Sequence, residues 1–461
     1  MFRSLIGDRA FYKRVFAIAI PIIIQNGITQ FVSLLDNIMV GAVGQMPMSG
    51  VAIANQLIFV FNICIFGANS GAGIFTAQFH GNQDHDGVRH TFRFKILACL
   101  TVAIAGIAVF WLWGSPLLST YLQGEGDPAE AALTLAYGMD YLRVMLLGLL
   151  PFAITNAYNT TLRESGQTVV PMTAGIVAVL TNLSLNWVLI FGYFGLPAMG
   201  VRGAALATVI SRYVELAIVL VWTHSHRKEH PFIRGAYRSL RIPKSLLGRI
   251  ARRGTPLLAN EFMWAFGMAF LSQCYSYCGL AVVPATNITS VIRNLSSVVQ
   301  MAMGGAVGII MGQLMGSGAD AEQVKKNNRQ LLAISVTAGL VFGLILAGVS
   351  TLFPRLYKVS DEVRALATQL ILVHAVMMPF NAYTHSVYFT LRSGGRTGLT
   401  FLFDSGYVCF VMAPLAFVLS RFTQLPILLI YALCQGTEII KTFFGVFLIR
   451  GGSWIRNLAK E

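Results

Sequence analysis

The sequence predicts an all-α integral membrane protein of about twelve transmembrane helices, built as two related six-helix halves. Three observations carry that prediction: a scarcity of charge, apolar runs of membrane length, and ordered repetition between the halves. Of the 461 residues, 55% are hydrophobic and only 11% charged, and the mean hydropathy is +0.66. A soluble chain carries about 25% charged residues. So few charges cannot solvate a globule of this size, but they suffice where lipid covers most of it.

A helix crosses the hydrocarbon core with about 20 predominantly apolar residues. In chain order, runs of that kind begin near Val15, Val51, Phe94, Leu133, Val169 and Gly203. After a basic interruption they resume near Leu257, Val283, Leu331, Leu366, Leu399 and Leu425. The first run follows Arg3, Arg9, Lys13 and Arg14 and has full membrane length. A secretory leader has a short apolar core and an A-x-A site, so no cleavable signal is expected. The six cysteines, Cys64, Cys99, Cys274, Cys278, Cys409 and Cys434, fall inside apolar runs. Cys274 and Cys278 share a helix face, yet no histidine or carboxylate nearby completes a metal site. They read as small buried residues.

The net charge of +15 raises the question of nucleic acid, and its placement answers it. The densest basic stretch runs from Arg227 and Lys228 through Arg234, Arg238, Arg241, Lys244 and Arg249 to Arg252 and Arg253. It joins the sixth and seventh runs and has no nucleic-acid-reading motif around it, so no nucleic-acid partner is expected. Alternate loops divide the charge: with a cytoplasmic amino terminus, most of the 34 Lys and Arg lie on the cytoplasmic side, as membrane topology favours. The loop between runs 3 and 4, with Glu125, Asp127 and Glu130, is external and acidic. The expected topology is multi-pass, N-in and C-in, in a bacterial inner or plasma membrane.

Residues 226–248 form the one long polar stretch, and they divide the chain into halves 1–225 and 249–461. At a shift of 235 residues Pro21 matches Pro256, Gly44 matches Gly279, Gly73 matches Gly308, Gln78 matches Gln313 and Gly81 matches Gly316. Near the ends of runs 4 and 10, Thr161-Leu162-Arg163 is repeated as Thr390-Leu391-Arg392 at a shift of 229. Single matches are weak, but several in order at a near-constant shift are specific. Six helices per half place both halves in the same orientation, a parallel repeat about the membrane normal. Two such lobes rocking about a shared site give alternating access. The Thr-Leu-Arg segments also have a local reading, an arginine near a helix carboxyl end followed by a glycine turn.

The motifs resemble the multidrug and toxic compound extrusion (MATE) family of the MOP flippase superfamily. The first helix carries Pro21 and Leu34-Leu35-Asp36-Asn37-Ile38-Met39-Val40-Gly41, similar to the family's helix with its buried aspartate. Asn182-Leu183-Ser184-Leu185-Asn186-Trp187 and Met199-Gly200-Val201-Arg202-Gly203 resemble its helix 5–6 signature. The two Leu-Arg-x-x-Gly turns and the Gln-x-x-Gly helix ends match as well, and the resemblance spans nearly the whole chain. It implies a V-shaped pair of six-helix lobes that exports organic cations in exchange for protons or sodium ions, with no cofactor and no enzymatic activity. It also gives Glu261 a coupling role. Some family members pair that glutamate with a helix 10 aspartate, where this chain has Asn381 in Met378-Pro379-Phe380-Asn381.

An ionisable residue at bilayer depth costs at least about 2.5 kcal/mol on insertion scales, so each one is a candidate functional residue. Asp36 leads. Burial favours its neutral acid and a bound cation favours its carboxylate, which is the minimal chemistry of an antiporter. Asn182 and Asn186, at i and i+4, share a helix face, and with the Thr208 hydroxyl they complete an oxygen cage suited to sodium. The bland alternative is interhelical hydrogen bonding. Glu215, Glu438 and Asp404 are secondary candidates with Asn381. Arg212 with Glu215, and Glu438 with Lys441, are i, i+3 pairs able to neutralise themselves. Asp404 has Arg392 or Arg396 as prospective partners, while Arg293 has none evident.

The favoured expectation is a secondary antiporter, a monomer acting on small organic cations or drugs among membrane lipids. Its coupling ion is H+ or Na+, with a lean to protons. A lipid-linked saccharide flippase of the same superfamily is the first rival. A membrane-embedded enzyme is the second, disfavoured because no His-box, G-x-S-x-G or H-E-x-x-H is present, and no Walker A sequence suggests ATP as a driver.

Overall fold

The structure, a computed structural model, describes residues 6–122, 127–279 and 281–461. Arg3 and Glu125, which enter the charge argument above, lie outside the described residues. Twelve long helices follow one another, and no strand occurs among the described residues. They are α1 (Arg9–Gly41), α2 (Gln45–Gly81), α3 (His85–Ser119), α4 (Pro128–Glu164), α5 (Val169–Phe191) and α6 (Gly200–Ser225). The second half gives α7 (Lys244–Ser276), α8 (Val282–Gly316), α9 (Ala321–Val349), α10 (Asp361–Ser393), α11 (Thr397–Phe422) and α12 (Ile427–Arg450).

Eleven of these are long and apolar enough to cross a membrane; α7 falls short. Its apolar stretch is interrupted by Asn260 and Glu261, so its weak signal comes from the residues of greatest chemical interest.

The apolar runs located the helices but not their ends. α7 begins at Lys244, well before the run at Leu257, and α9 at Ala321, well before Leu331. A helix that leaves the lipid still closes its own backbone bonds, so polar residues extend it. Capping then sets several starts. Asp84 accepts from Gly87 N at 2.9 Å, Asp127 from Ala129 N at 2.9 Å ahead of Pro128, and Ser360 from Val363 N at 3.4 Å, the residue types that favour helix starts. α11 is irregular: two successive π-helical stretches, Leu402–Gly406 and Val408–Met412, interrupt it.

The chain divides into two compact units. The first comprises Ile24–Thr76 and Asp84–Ile250. In it α3 and α4 are tied by a buried ion pair between the fully buried Lys95 and Glu164, and Lys95 Nζ also donates to Thr161 Oγ1 at 3.2 Å. The basic stretch between α6 and α7 is not a free tether. A short 3-10 turn at Pro231–Ile233 places Phe232 against Phe92 of α3, ring centroids 5.4 Å apart. Arg93 of α3 donates to Ala236 O and Gly235 O, both at 2.8 Å.

The second unit comprises Met1–Ile23, Ala77–Gln83 and Ala251–Glu461. Val15, Ile18 and Ala19 of α1 share its core with Ala306, Ile310, Leu331, Leu391 and Trp454. The repeated Gln-x-x-Gly motif has a mechanical explanation here. The ends of α2 and α8 cross so closely that a Cβ on Gly81 would strike the backbone of Gln313, and one on Gly316 the backbone of Gln78. Each glutamine then serves as a clamp. Gln78 Nε2 donates to Ser393 O at 2.9 Å and Arg456 O at 3.1 Å, and its Oε1 accepts from Leu458 N at 2.6 Å. Gln313 Oε1 accepts from Arg14 Nη2 at 2.8 Å.

The repeated Thr-Leu-Arg turns are likewise helix terminators. Gly166 and Gly395 both have positive φ, +86° and +71°. The following amides bond back to Leu162 O at 2.8 Å and Leu391 O at 3.2 Å, which closes the exposed carbonyl ends of α4 and α10.

Candidate functional site

Within the first unit, the folding of α1, α5 and α6 brings the sequence-selected residues together. Asn186 Nδ2 donates to Asp36 Oδ1 at 2.6 Å. With its amide nitrogen toward Asp36, Asn182 donates to Oδ1 and Oδ2 at 3.0 and 3.1 Å, while its oxygen accepts from Thr208 Oγ1 at 3.1 Å and Thr208 N at 3.3 Å. In the reverse orientation Asn182 Nδ2 donates to Thr208 Oγ1 at 3.1 Å, and Thr208 Oγ1 donates to Ala204 O at 3.1 Å. Asn182 and Asn186 are 6% and 1% exposed, so these amides have little water to fall back on. Asn186 Oδ1 is buried with no partner among the described residues, an acceptor left over beside a carboxyl group.

Other residues join this group that sequence reasoning passed over. Tyr141 of α4 interacts electrostatically with Asp36 and hydrogen-bonds to Asn55 of α2. Arg212 acts on Asp36 electrostatically and stands 3.7 Å from Glu215 Oε2. Glu215 Oε1 in turn accepts from Asn159 Nδ2 at 3.1 Å. The expected self-neutralising pair is present, and its arginine also faces Asp36. A Tyr or Asn within an apolar helix was the only sequence signal for Tyr141 and Asn55, and many such residues only bond neighbouring helices.

The second unit holds a different arrangement. Glu261 Oε1 of α7 accepts from Tyr388 Oη of α10 at 3.4 Å, and Arg392 and Asp404 both act on it electrostatically. Asp404 departs from its expected pairing. Its partners are Asn260 Nδ2 at 3.0 Å and Lys441 Nζ at 3.5 Å, whereas Arg396 donates to Ser453 O at 3.0 Å. The reason is the π-helical stretch of α11, which turns Asp404 toward α7 and α12. Lys441 also stands 3.5 Å from Glu438 Oε1, and Glu438 Oε2 accepts from Thr384 Oγ1 at 3.0 Å. Asn381 enters only through its backbone carbonyl, which accepts from Thr384 Oγ1 at 3.2 Å.

Arg293 of α8 also has surroundings now. It acts electrostatically on His374, Tyr275 and Tyr431, each buried. Among the described residues both His374 ring nitrogens and the Tyr431 hydroxyl have no hydrogen-bond partner, and the Tyr275 hydroxyl lies against Cys434.

A set of membrane-length apolar helices that carries buried carboxylates among the described residues is the build of a membrane transporter. The MatE family model matches residues 21–188 and again 256–420, and the chain belongs to that family. The two matches begin 235 residues apart, the same shift that the sequence repeat shows. The "Probable multidrug resistance protein NorM" of Thermotoga maritima is 24% identical over 447 residues, covering 96% of this chain and 93% of its own length. The "Probable multidrug resistance protein YoeA" of Bacillus subtilis is 25% identical, covering 89% and 87%. Among solved structures, one described as the outward-facing conformation of a multidrug resistance MATE family transporter of the MOP superfamily superposes with a TM-score of 0.86. Its identity is 18%, and 98% of each chain is covered. The Vibrio cholerae MATE transporter VcmN, as a mutant, gives 0.81 at 18% identity over the whole of both chains. The protein is thus a multi-pass membrane transporter and not an enzyme.

Proposed function

We propose that this transporter is a secondary antiporter that exports organic cations or drugs by alternating access between its two halves. The coupling ion is H+ or Na+, with protons favoured, and both termini are cytoplasmic. The observation that carries the reading is the Asp36 group. One ionisable carboxyl is held by two neutral amides and a hydroxyl, and a buried acceptor, Asn186 Oδ1, is left unused.

The two orientations of the Asn182 amide suit the two charge states of Asp36. With Asp36 ionised, Asn182 presents its nitrogen and both carboxylate oxygens receive hydrogen bonds, charge-assisted and therefore strong. With Asp36 protonated, the reversed amide presents its oxygen to the new O–H. Asn182 then donates to Thr208, and Thr208 donates its own hydrogen bond to Ala204 O. Each state keeps Asp36, Asn182 and Thr208 in one continuous hydrogen-bond chain, so loading and unloading strands none of these three. A sodium ion can use the same oxygens, which is why the cage of Asp36, Asn182, Asn186 and Thr208 does not by itself select the ion. Glu261 is proposed as the second coupling or cation-binding carboxylate.

The relatives' names support drugs as substrates, and the acidic character of both candidate groups supports cations. Purified protein in liposomes should move ethidium when a proton gradient is imposed, and a sodium gradient applied separately should drive less. Export driven by sodium alone would reverse the choice of ion. No movement under either gradient would remove the antiport reading.

A further inference from the structure

The second unit contains a buried group of charges that the Asp36 chemistry does not use. Lys441 Nζ stands 3.5 Å from Asp404 Oδ1 and 3.5 Å from Glu438 Oε1. Lys441 and Glu438 are 6% and 7% exposed. The ammonium also lies over the rings of Phe403 and Tyr407, at 5.3 and 5.7 Å from their centroids, where a cation is favoured. Each carboxylate keeps one further donor on its other oxygen, Asn260 for Asp404 and Thr384 for Glu438. The backbone is shaped to match. At the π-helical break beside Asp404, Asn260 Oδ1 accepts from Ser405 N at 3.2 Å and Ser405 Oγ at 2.7 Å. A side chain from α7 thus bonds directly to the irregular backbone of α11. Single π-turns of this kind recur at functional sites.

We propose that Lys441 is a tethered counter-ion filling the seat between Asp404 and Glu438 that a metal cation would otherwise take. This half therefore binds protons and excludes sodium. Two carboxylates and one ammonium leave a net charge of −1. One proton completes the neutralisation, forming an O–H bond on whichever carboxylate the ammonium leaves for the other. A sodium ion entering instead would have to approach a lysine already holding both carboxylates, and in a low-dielectric interior that repulsion is large. The remaining charged and titratable groups facing the triad do not remove the excess negative charge unaided. Glu261 adds another, Arg392 answers it, and His385, Tyr388 and Tyr407 are neutral neighbours. Proton selectivity for this half rests on the antiport reading, whereas the counter-ion itself rests on the distances.

The test is thermal unfolding of the full-length protein in detergent, in NaCl against N-methylglucamine chloride at equal ionic strength. An Asp36→Asn background removes the carboxylate of the other site. There the Tm is expected to be the same in the two salts. Adding Lys441→Ala should produce a saturable rise in Tm with sodium, and also with n-propylammonium, the fragment deleted from the side chain. Lys441→Gln, which keeps most of the volume and offers a neutral oxygen, serves for the sodium arm if the alanine variant does not fold. Folded variants indifferent to both cations would overturn the proposal. So would a sodium response in the Asp36→Asn parent that Asp404→Asn abolishes, since sodium would then already occupy the triad. Failure of ethidium transport under every gradient would sink antiport and leave this binding result standing.

Discussion

The Asp36 group and the Lys441 group place carboxylates at bilayer depth by opposite means. Asp36 is surrounded by neutral dipoles, two asparagines and a threonine, with Arg212 acting from further away. Asp404 and Glu438 share an ammonium covalently fixed to the chain. A dipole cage stabilises a charge without cancelling it, which on the antiport reading leaves Asp36 able to exchange one cation for another. A tethered ammonium cancels a charge permanently and can only be shared.

The largest expected effect tests the exchangeable half. Asp36→Asn keeps the shape of the side chain and removes the charge, and ethidium export should fall to the level of protein-free liposomes. Retained export would take Asp36 out of the mechanism and leave the comparison without its first member. Glu261→Gln should be milder, slowing export by about tenfold, equivalent to one interaction of roughly 1.4 kcal/mol. An effect equal to that of Asp36→Asn would make the two halves equivalent and contradict their asymmetry.

Stability measurements sharpen the same contrast. Lys95 is fully buried against Glu164 and has no proposed part in exchange. Lys95→Ala strands a carboxylate and should cost about 3–5 kcal/mol, seen as a lower Tm whichever salt is present. A Tm restored by sodium would mean that this pair, and not Lys441, holds the replaceable cation. Gly316→Val forces the α2–α8 crossing apart and should cost about 1–3 kcal/mol; an unchanged Tm would show that the crossing is looser than its geometry implies.

The smallest effect lies in the connecting stretch. Burial holds the His230 imidazole below the usual histidine range, so its neutral form is the one that packs. Above pH 6.5 that contribution is complete. As pH falls below 6.5 the unfolded form takes up a proton first, and the contribution is lost. Hydrogen-exchange protection around residues 230–237, corrected for the intrinsic rate at each pH, should therefore fall below pH 6.5, and His230→Phe should flatten the dependence.

Much of this was legible in the sequence because lipid simplifies the problem. Charge scarcity and run length revealed the long apolar helices, and the 235-residue shift of the sequence repeat returns between the two family matches. Helix ends were less legible, since α7 and α9 continue through residues that no lipid-based criterion selects. Asp36, Asn182, Asn186 and Thr208 were found together because family resemblance joined distant segments and i, i+4 spacing aligned two of them. The partners of Asp404 were missed for a physical reason. A regular helix would aim that residue elsewhere, and nothing in Leu402–Met412 announces a π-helical break. Arg212 facing Asp36, and Arg293 among His374, Tyr275 and Tyr431, depend on tertiary packing that local pairing rules do not reach.

The central claim is that Asp36 gives up a proton when a cationic substrate binds. The direct measurement is proton release from the purified protein in weakly buffered detergent solution, followed with a pH-sensitive dye as tetraphenylphosphonium is added. Wild-type protein should release protons in step with binding, while Asp36→Asn should bind more weakly and release none. Equal release from both proteins would place the exchangeable proton elsewhere and contradict the account.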